Sequence, residues 1–289
     1  MRIEMRDITY TYPKREHPAV SGLELTVETG GFLAVMGVSG SGKSTFCYLL
    51  LGLLSPDSGT VSIGGRQKEA KKLFPRVGMV FQYPEQQLFA DTVFEEIAFA
   101  PRNRGIAESE INSIVESSLN DVGLDPEKFA SRNPFHLSGG EKRRVAIASI
   151  LAMQPEVLIF DEPTAGLDKS GKDFIIDLAR TKHAAGTTII WVTHRMEEAA
   201  ELAENMFVFG KDKIPLCGNP RRILTDGELL ASYGLCQPLA AELTGRLKQA
   251  GKPLAGLAIT ADEACAEIIS WKKKTACENR TIMQREDEL

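Results

Sequence analysis

The segment Gly37-Val38-Ser39-Gly40-Ser41-Gly42-Lys43-Ser44-Thr45 constrains this chain more tightly than any other. It has the form G-x-x-x-x-G-K-[ST]. An apolar run, Phe32 to Met36, reads as a buried strand before it, and Thr45 to Leu54 reads as a helix after it. Small residues between a strand and a helix let successive backbone N–H groups curl around a phosphate, and the helix N-terminus adds partial positive charge. In such a loop Lys43 reaches the β- and γ-phosphates, and the Ser44 hydroxyl is a ligand for Mg²⁺. A Gly/Ser surface turn would explain the composition but not the flanking strand and helix. The segment points to a bound nucleoside triphosphate.

Val157 to Phe160 is a second apolar run, of the kind found in a parallel strand buried on both faces, and it ends in Asp161-Glu162 before Pro163. Doubly wound sheets bind their ligands at the C-terminal ends of such strands. Asp161 suits an outer-shell contact to Mg²⁺, which keeps several of its waters. Glu162 then faces the γ-phosphate, where one carboxylate orients or deprotonates the attacking water. Thr187 to Thr193 reads as a further strand, and His194 follows it directly. A lone histidine is usually structural, but this one occupies the same strand-end position as the two carboxylates. That favours a contact to the γ-phosphate or the attacking water.

Leu137-Ser138-Gly139-Gly140-Glu141 precedes a helical run from Lys142 to Met153. Ser138 and Glu141 have the spacing of a capping box. A cap does not explain the Gly139-Gly140 pair, which weakens a helix start unless something must approach the backbone closely. A second phosphate docking on that N-terminus would supply the reason.

Taken in order, Gly37 to Thr45, Leu137 to Glu141 and Val157 to Glu162 resemble the Walker A, signature and Walker B motifs of ABC ATPases. The resemblance covers roughly residues 1–225. It implies a mainly parallel α/β core of the P-loop NTPase type, with an antiparallel β-subdomain and a helical signature subdomain over about 83–153. It also implies ATP and Mg²⁺ as cofactors. Gly37, Ser39, Gly40, Ser41, Gly42, Lys43, Ser44 and Thr45 become the phosphate-binding set, and Tyr12 the aromatic that stacks on adenine. Gln82 resembles the Q-loop glutamine, a contact to Mg²⁺ or the attacking water. Thr164 to Asp168 resembles the D-loop, and His194 the switch histidine. Metal contacts fall to Ser44, Gln82 and Asp161, and catalysis to Glu162, His194, Gln82 and Lys43. In this family two ATPase domains pair head-to-tail, so Ser138, Gly139 and Gly140 would serve the ATP of a partner subunit.

The run from Phe81 through Gln82-Tyr83-Pro84-Glu85-Gln86-Gln87-Leu88-Phe89 to Val93, before an expected helix Phe94 to Ala100, is more apolar than an ordinary loop. It packs under the helical subdomain or forms a groove for another protein's helix. It resembles the ATPases of energy-coupling factor transporters, which import vitamins and metal ions, and among them the second ATPase type. That resemblance implies a heterodimer with another ABC ATPase, a transmembrane T-component docking in the groove, a substrate-binding S-component, and a peripheral place on the cytoplasmic face of the membrane. Glu85, Asp91 and Glu95 are candidate partners for arginines of the docking helices.

After Cys217-Gly218-Asn219-Pro220 the pattern turns to short amphipathic helices: Arg221–Thr225, Glu228–Tyr233, Leu239–Gln249 and Ala261–Trp271. Residues 226–275 resemble the helical extension of the same ATPases, which implies a dimerisation element, and 276–289 read as a flexible tail. A net charge of −5 supplies no basic field and argues against nucleic acid as the main partner. No apolar run approaches the roughly 20 residues a bilayer requires, so a membrane role would run through partners. The five cysteines, Cys47, Cys217, Cys236, Cys265 and Cys277, lack C-x-x-C spacing and read as free thiols. Alternatives are an ordinary ABC importer or exporter subunit, a soluble ABC protein outside transport, and a protein holding ATP as a structural ligand.

Overall fold

The computed structural model describes residues 1–67, 76–211 and 213–286. Two sheets organise the chain. Strands β1 (Ile3–Tyr10), β2 (Val20–Val27), β4 (Ser58–Ile63) and β5 (Arg66–Gln67) form an antiparallel sheet in the order β2-β1-β4-β5. The core sheet contains β3 (Phe32–Gly37), β6 (Val77–Val80), β7 (Val157–Asp161), β8 (Thr188–Val192), β9 (Asn205–Gly210) and β10 (Lys213–Gly218), in the order β10-β9-β3-β8-β7-β6. Every pairing in it is parallel except β9 with β10.

The central strands are apolar throughout because both faces are covered. Successive side chains alternate between the faces. Phe32, Leu158, Phe160, Ile189 and Trp191 enter one core cluster beside the helices, whereas Leu33, Val35, Val157, Ile159, Ile190 and Val192 enter another beside the antiparallel sheet. Register aligns the strand ends: Val80 pairs Phe160, Phe160 pairs Trp191, Asp161 pairs Val192, and Val35 also pairs Val192. Four C-terminal strand ends thus reach one edge together, where ligands of open α/β sheets bind.

Helix α1 (Lys43–Leu51) leaves the loop after β3 and stops at Gly52, whose left-handed φ of 80° caps it. The expected helix to Leu54 is shortened because the Gly52 and Leu53 N–H groups turn back to the Leu49 and Tyr48 carbonyls. Between β6 and β7 come α2 (Val93–Asn103), α3 (Glu108–Asp121), α4 (Pro126–Phe129) and α5 (Gly139–Leu151), the expected helical insertion. Then α6 (Lys169–Ala184) leads into β8, and α7 (Met196–Leu202) into β9.

The C-terminal part contains α8 (Pro220–Leu224), α9 (Gly227–Ser232), α10 (Leu239–Gln249) and α11 (Ala261–Glu286). Arg221 of α8 pairs with Glu263 of α11 and donates to the Leu257 carbonyl at 3.0 Å, fastening the extension to the rest. Inside it, the Thr244 hydroxyl donates to the Ala240 carbonyl at 2.7 Å and accepts the Ala258 N–H at 3.1 Å. The sequence expected a helix to Trp271. The backbone instead stays helical to Glu286, through a stretch without glycine or proline. Residues 287–289 lie outside the described residues.

The segment after Gln82 divides into two roles. Leu88 and Val93 are buried under the helical subdomain, as ordinary packing requires. Phe89 is 57 % exposed and lies edge-on to Phe99, itself 49 % exposed, at 4.8 Å between ring centroids. The Glu96 carboxylate, buried on α2, accepts the Phe89 and Ala90 N–H groups at 2.9 Å each and fixes that loop. Glu96→Ala is expected to lower unfolding free energy by about 1–2 kcal/mol, measured by urea denaturation, because two part-buried N–H groups lose a charged acceptor.

Candidate active site

The chain reverses sharply after β3. Gly37 has φ 149°, Gly40 φ 76° and Gly42 φ 107°, so the loop needs glycine conformations at all three. At Gly37 a Cβ would lie 2.6 Å from the Phe209 carbonyl oxygen, and at Gly42 2.7 Å from that of Ala19. At Gly40 it would meet nothing within 4 Å, so the backbone there is open to a ligand. Ser41 Oγ is buried without a hydrogen-bond partner. An orphaned hydroxyl beside an open glycine backbone fits a phosphate group. Ser39 and Ser44 are exposed at the mouth, while Thr45 is buried and shares a 3.2 Å hydrogen bond with the Tyr12 hydroxyl. Tyr12 thereby flanks the loop, its ring edge-on to Tyr10 at 5.0 Å.

The Lys43 ammonium donates to the carbonyls of Gly37 at 2.6 Å and Val38 at 3.0 Å. Burial pushes its pKa down, and the charges of Glu162 and Asp161 partly restore it. On the other side of this ion cluster, burial and the neighbouring Glu162 charge push the Asp161 carboxyl up, against the pull of Lys43. Two carboxylates incompletely balanced by one lysine suit a hard cation. The oxygen donors of Ser44, Gln82 and Asp161 are the type that Mg²⁺ accepts.

Glu162 and His194 meet at the ends of neighbouring strands. His194 Nδ1 lies 2.7 Å from Glu162 Oε2, and the Glu162 N–H donates to the Val192 carbonyl at 2.9 Å. Glu162 occupies φ 48°, a conformation that costs energy for any residue with a side chain and collects at functional sites. The histidine ring is exposed while the carboxylate is mostly buried, at 67 % and 18 % side-chain exposure. The pair therefore presents one solvated and one shielded group to whatever reaches the edge of the sheet.

Ser138, Gly139 and Gly140 lie exposed at the start of α5. The capping box is complete: Ser138 Oγ accepts the Glu141 N–H at 3.4 Å, and the Ser138 N–H donates to Glu141 Oε2 at 2.8 Å. It closes the first turn over both glycines, so α5 begins at Gly139 rather than at Lys142 as expected. Glu85 is directed inward, 4.0 Å from Arg143, and Glu95 pairs with Arg102. Asp91 is exposed at the end of the loop.

Several residues at this edge escaped sequence reading. Arg143, buried on α5, donates to the carbonyls of Gln82 and Pro163, joining the Gln82 loop to the chain just past Glu162. Glu198 and Glu96 are likewise buried carboxylates on helices. Each carries the sequence pattern of an ordinary helix-surface charge, so no local signal distinguishes it. Cys47 is fully buried on α1, and burial pushes its thiol well up. N-ethylmaleimide under native conditions is expected to label the exposed Cys217, Cys236 and Cys265 and to spare Cys47 until the chain is unfolded, as read by peptide mass spectrometry. The side chain of Cys277 lies outside the described residues.

Among the described residues no helix is long and apolar enough to cross a membrane, and no cluster of His, Cys, Asp or Glu is arranged to hold a metal unaided. The ABC transporter family profile matches residues 20–165. The chain is 41% identical over 288 residues to the energy-coupling factor transporter ATP-binding protein EcfA2 of Clostridium tetani, covering 96% of this chain and 100% of that protein. It is 38% identical over 273 residues to the protein of the same name from Streptococcus sanguinis, covering 91% and 98%. Among solved structures, cbiO1 of Clostridium perfringens, part of the ABC transporter complex cbiONQ, superposes with a TM-score of 0.70 at 31% identity, covering 86% of this chain and 98% of that one. The ATP-binding cassette MJ0796, solved as a dimer in a post-hydrolysis state with ADP and Pi, superposes with a TM-score of 0.66 at 27% identity, covering 76% and 99%. With its P-loop, carboxylate pair and histidine gathered at one sheet edge, the chain belongs to the ABC transporter ATPases, among those of energy-coupling factor transporters.

Proposed function

We propose that this chain powers an energy-coupling factor transporter by hydrolysing ATP between its own P-loop and the Ser138–Gly140 segment of a second ABC ATPase. The observation that carries the reading is the 2.7 Å contact between Glu162 and His194, beside a lysine that feels both carboxylates. Glu162 accepts the proton of the attacking water, and His194 orients Glu162 and the γ-phosphate end of the substrate. Lys43 gives up its carbonyl contacts to neutralise phosphate oxygens. Ser41 and the loop N–H groups hold the β-phosphate, and Tyr12 supports the adenine. Ser44, Asp161 and Gln82 would hold Mg²⁺, which would supply positive charge beside the phosphate oxygens.

The ATPase domain spans 1–225, with the helical extension over 226–275 helping to keep two subunits together and 276–289 as the tail. The exposed Leu239, Leu243 and Ile269 on α10 and α11 suit that contact. Tyr83, Phe89 and Phe99, all exposed, suit a helix of a transmembrane T-component, with Asp91 the acid best placed for its arginines. The partner ATPase is a related chain rather than a second copy, and a small S-component brings the vitamin or metal ion. The chain works at the cytoplasmic face of the membrane, held there by these partners. ATP closes the pair only as far as it binds the closed state more tightly than the open one.

Affinity purification of the tagged chain from detergent-solubilised membranes tests the assembly. A multi-span membrane protein together with a second ABC ATPase is expected. Recovery of a membrane partner with this ATPase alone would replace the heterodimer by a homodimer, and recovery of no membrane protein would overturn the transport assembly.

A further inference from the structure

Glu198 lies on α7, one helical turn past His194, and is only 5 % exposed. Three segments enclose its carboxylate. Oε1 accepts the Thr164 hydroxyl at 2.6 Å, and Arg195 Nε lies 2.8 Å from the same oxygen. Oε2 accepts Trp191 Nε1 at 3.1 Å and the Thr193 hydroxyl at 3.0 Å. The Thr193 hydroxyl in turn accepts the Arg195 N–H at 3.1 Å. Thr164, Trp191 and Thr193 are all buried.

A carboxylate taken out of water is unfavourable unless its oxygens are met, and both are met here. Apolar residues often replace buried ionic groups without loss of stability, so packing alone does not call for an acid at this position. What an acid achieves is a junction. Thr164 lies just beyond Glu162, while Thr193 and Arg195 flank His194 on either side. One buried carboxylate therefore ties the chain past Glu162 to both neighbours of His194. The strained Glu162 backbone, at φ 48°, needs such over-determination to persist.

We propose that Glu198 is a positioning residue for the Glu162–His194 pair, a buried clamp that sets their contact according to where the Thr164–Asp168 loop lies. Because Thr164 belongs to that loop, a shift of the loop removes a hydrogen bond from the carboxylate that fixes the residues beside His194. The two reacting side chains are then aligned only when the loop is in place. This inference rests on the hydrolytic roles given above to Glu162 and His194.

The test uses the full chain in its purified transporter assembly, with ATP turnover and the affinity for a fluorescent trinitrophenyl-ATP probe measured on the same preparation. Glu198→Gln keeps the size but leaves only one oxygen to accept the surrounding donors. It is expected to lower kcat about tenfold or more while probe affinity stays within about twofold. Thr164→Val, which removes one of the bonds, is expected to lower kcat in the same direction, and the double variant to be no slower than Glu198→Gln alone. Unchanged kcat in Glu198→Gln, a loss of turnover matched by a loss of probe affinity, or multiplicative effects of the two substitutions would overturn the clamp. If Glu198→Gln does not fold, Thr164→Val, Thr193→Val and their double variant test the same non-additivity. Glu162→Gln run alongside separates the two ideas: activity retained there removes the hydrolytic assignment, whereas an inactive Glu162→Gln beside a fully active Glu198→Gln removes only the clamp.

Discussion

Glu162→Gln is expected to lower ATP turnover about 100-fold or more while nucleotide affinity changes by no more than about threefold. The amide has nearly the shape of the carboxylate, so the contact with His194 and the left-handed backbone at this position can both persist. What is lost is a group able to take a proton from water. Binding through the P-loop changes little, because Lys43 is placed by the Gly37 and Val38 carbonyls and keeps the charge of Asp161 beside it. Nucleotide then binds without being consumed, and the paired ATPases accumulate in the closed state. Steady-state turnover, equilibrium binding and size-exclusion chromatography with ATP and Mg²⁺ together measure this. Turnover within a few-fold of the unaltered protein would show that another group activates the water.

Much of this site was legible in the sequence because it is built from strand ends. A parallel strand buried on both faces is a short apolar run, and the residue after it is fixed at one edge of the sheet. Phe32–Met36, Val157–Phe160 and Thr187–Thr193 announced three such runs, and their register delivers the P-loop, Glu162 and His194 to the same edge. The Ser138 capping box was equally readable, since its chemistry is local. Residues whose role depends on distant partners were hidden. Glu198 lies beside Glu197 on α7, and only the fold reveals which of the two turns inward to Thr164 and Trp191. Arg143 next to Arg144 poses the same ambiguity, with one reaching Gln82 and Pro163 and the other the Val122 carbonyl. Helix limits failed where glycine acts by context: Gly52 ended α1 early, whereas Gly139 and Gly140 were taken into α5.

Those two glycines lead to the second large effect. Gly140→Ala is expected to leave the chain as stable as before or more stable, by up to about 1 kcal/mol, because alanine loses less backbone entropy in a helix. Turnover in the assembly is nevertheless expected to fall about tenfold or more, because on the proposed head-to-tail pairing a methyl group would displace the partner's phosphate from the helix start. Neither Gly139 nor Gly140 has a positive φ, and a Cβ built at either meets nothing within 4 Å. Among the described residues nothing therefore requires glycine there. Gly37 differs: its φ of 149° and a carbonyl oxygen 2.6 Å from the would-be Cβ make substitution a structural injury. Thermal melting and turnover of Gly140→Ala, with Gly37→Ala as the contrast, separate the two kinds of glycine. Gly37→Ala should lose stability and nucleotide binding together, whereas Gly140→Ala should keep both stability and the binding of ATP to its own P-loop. If Gly140→Ala hydrolysed ATP normally, the start of α5 would not face a nucleotide, and the head-to-tail pairing would lose its physical basis in this chain. If it melted early instead, the glycine would be serving the fold through a contact not evident in the chain alone.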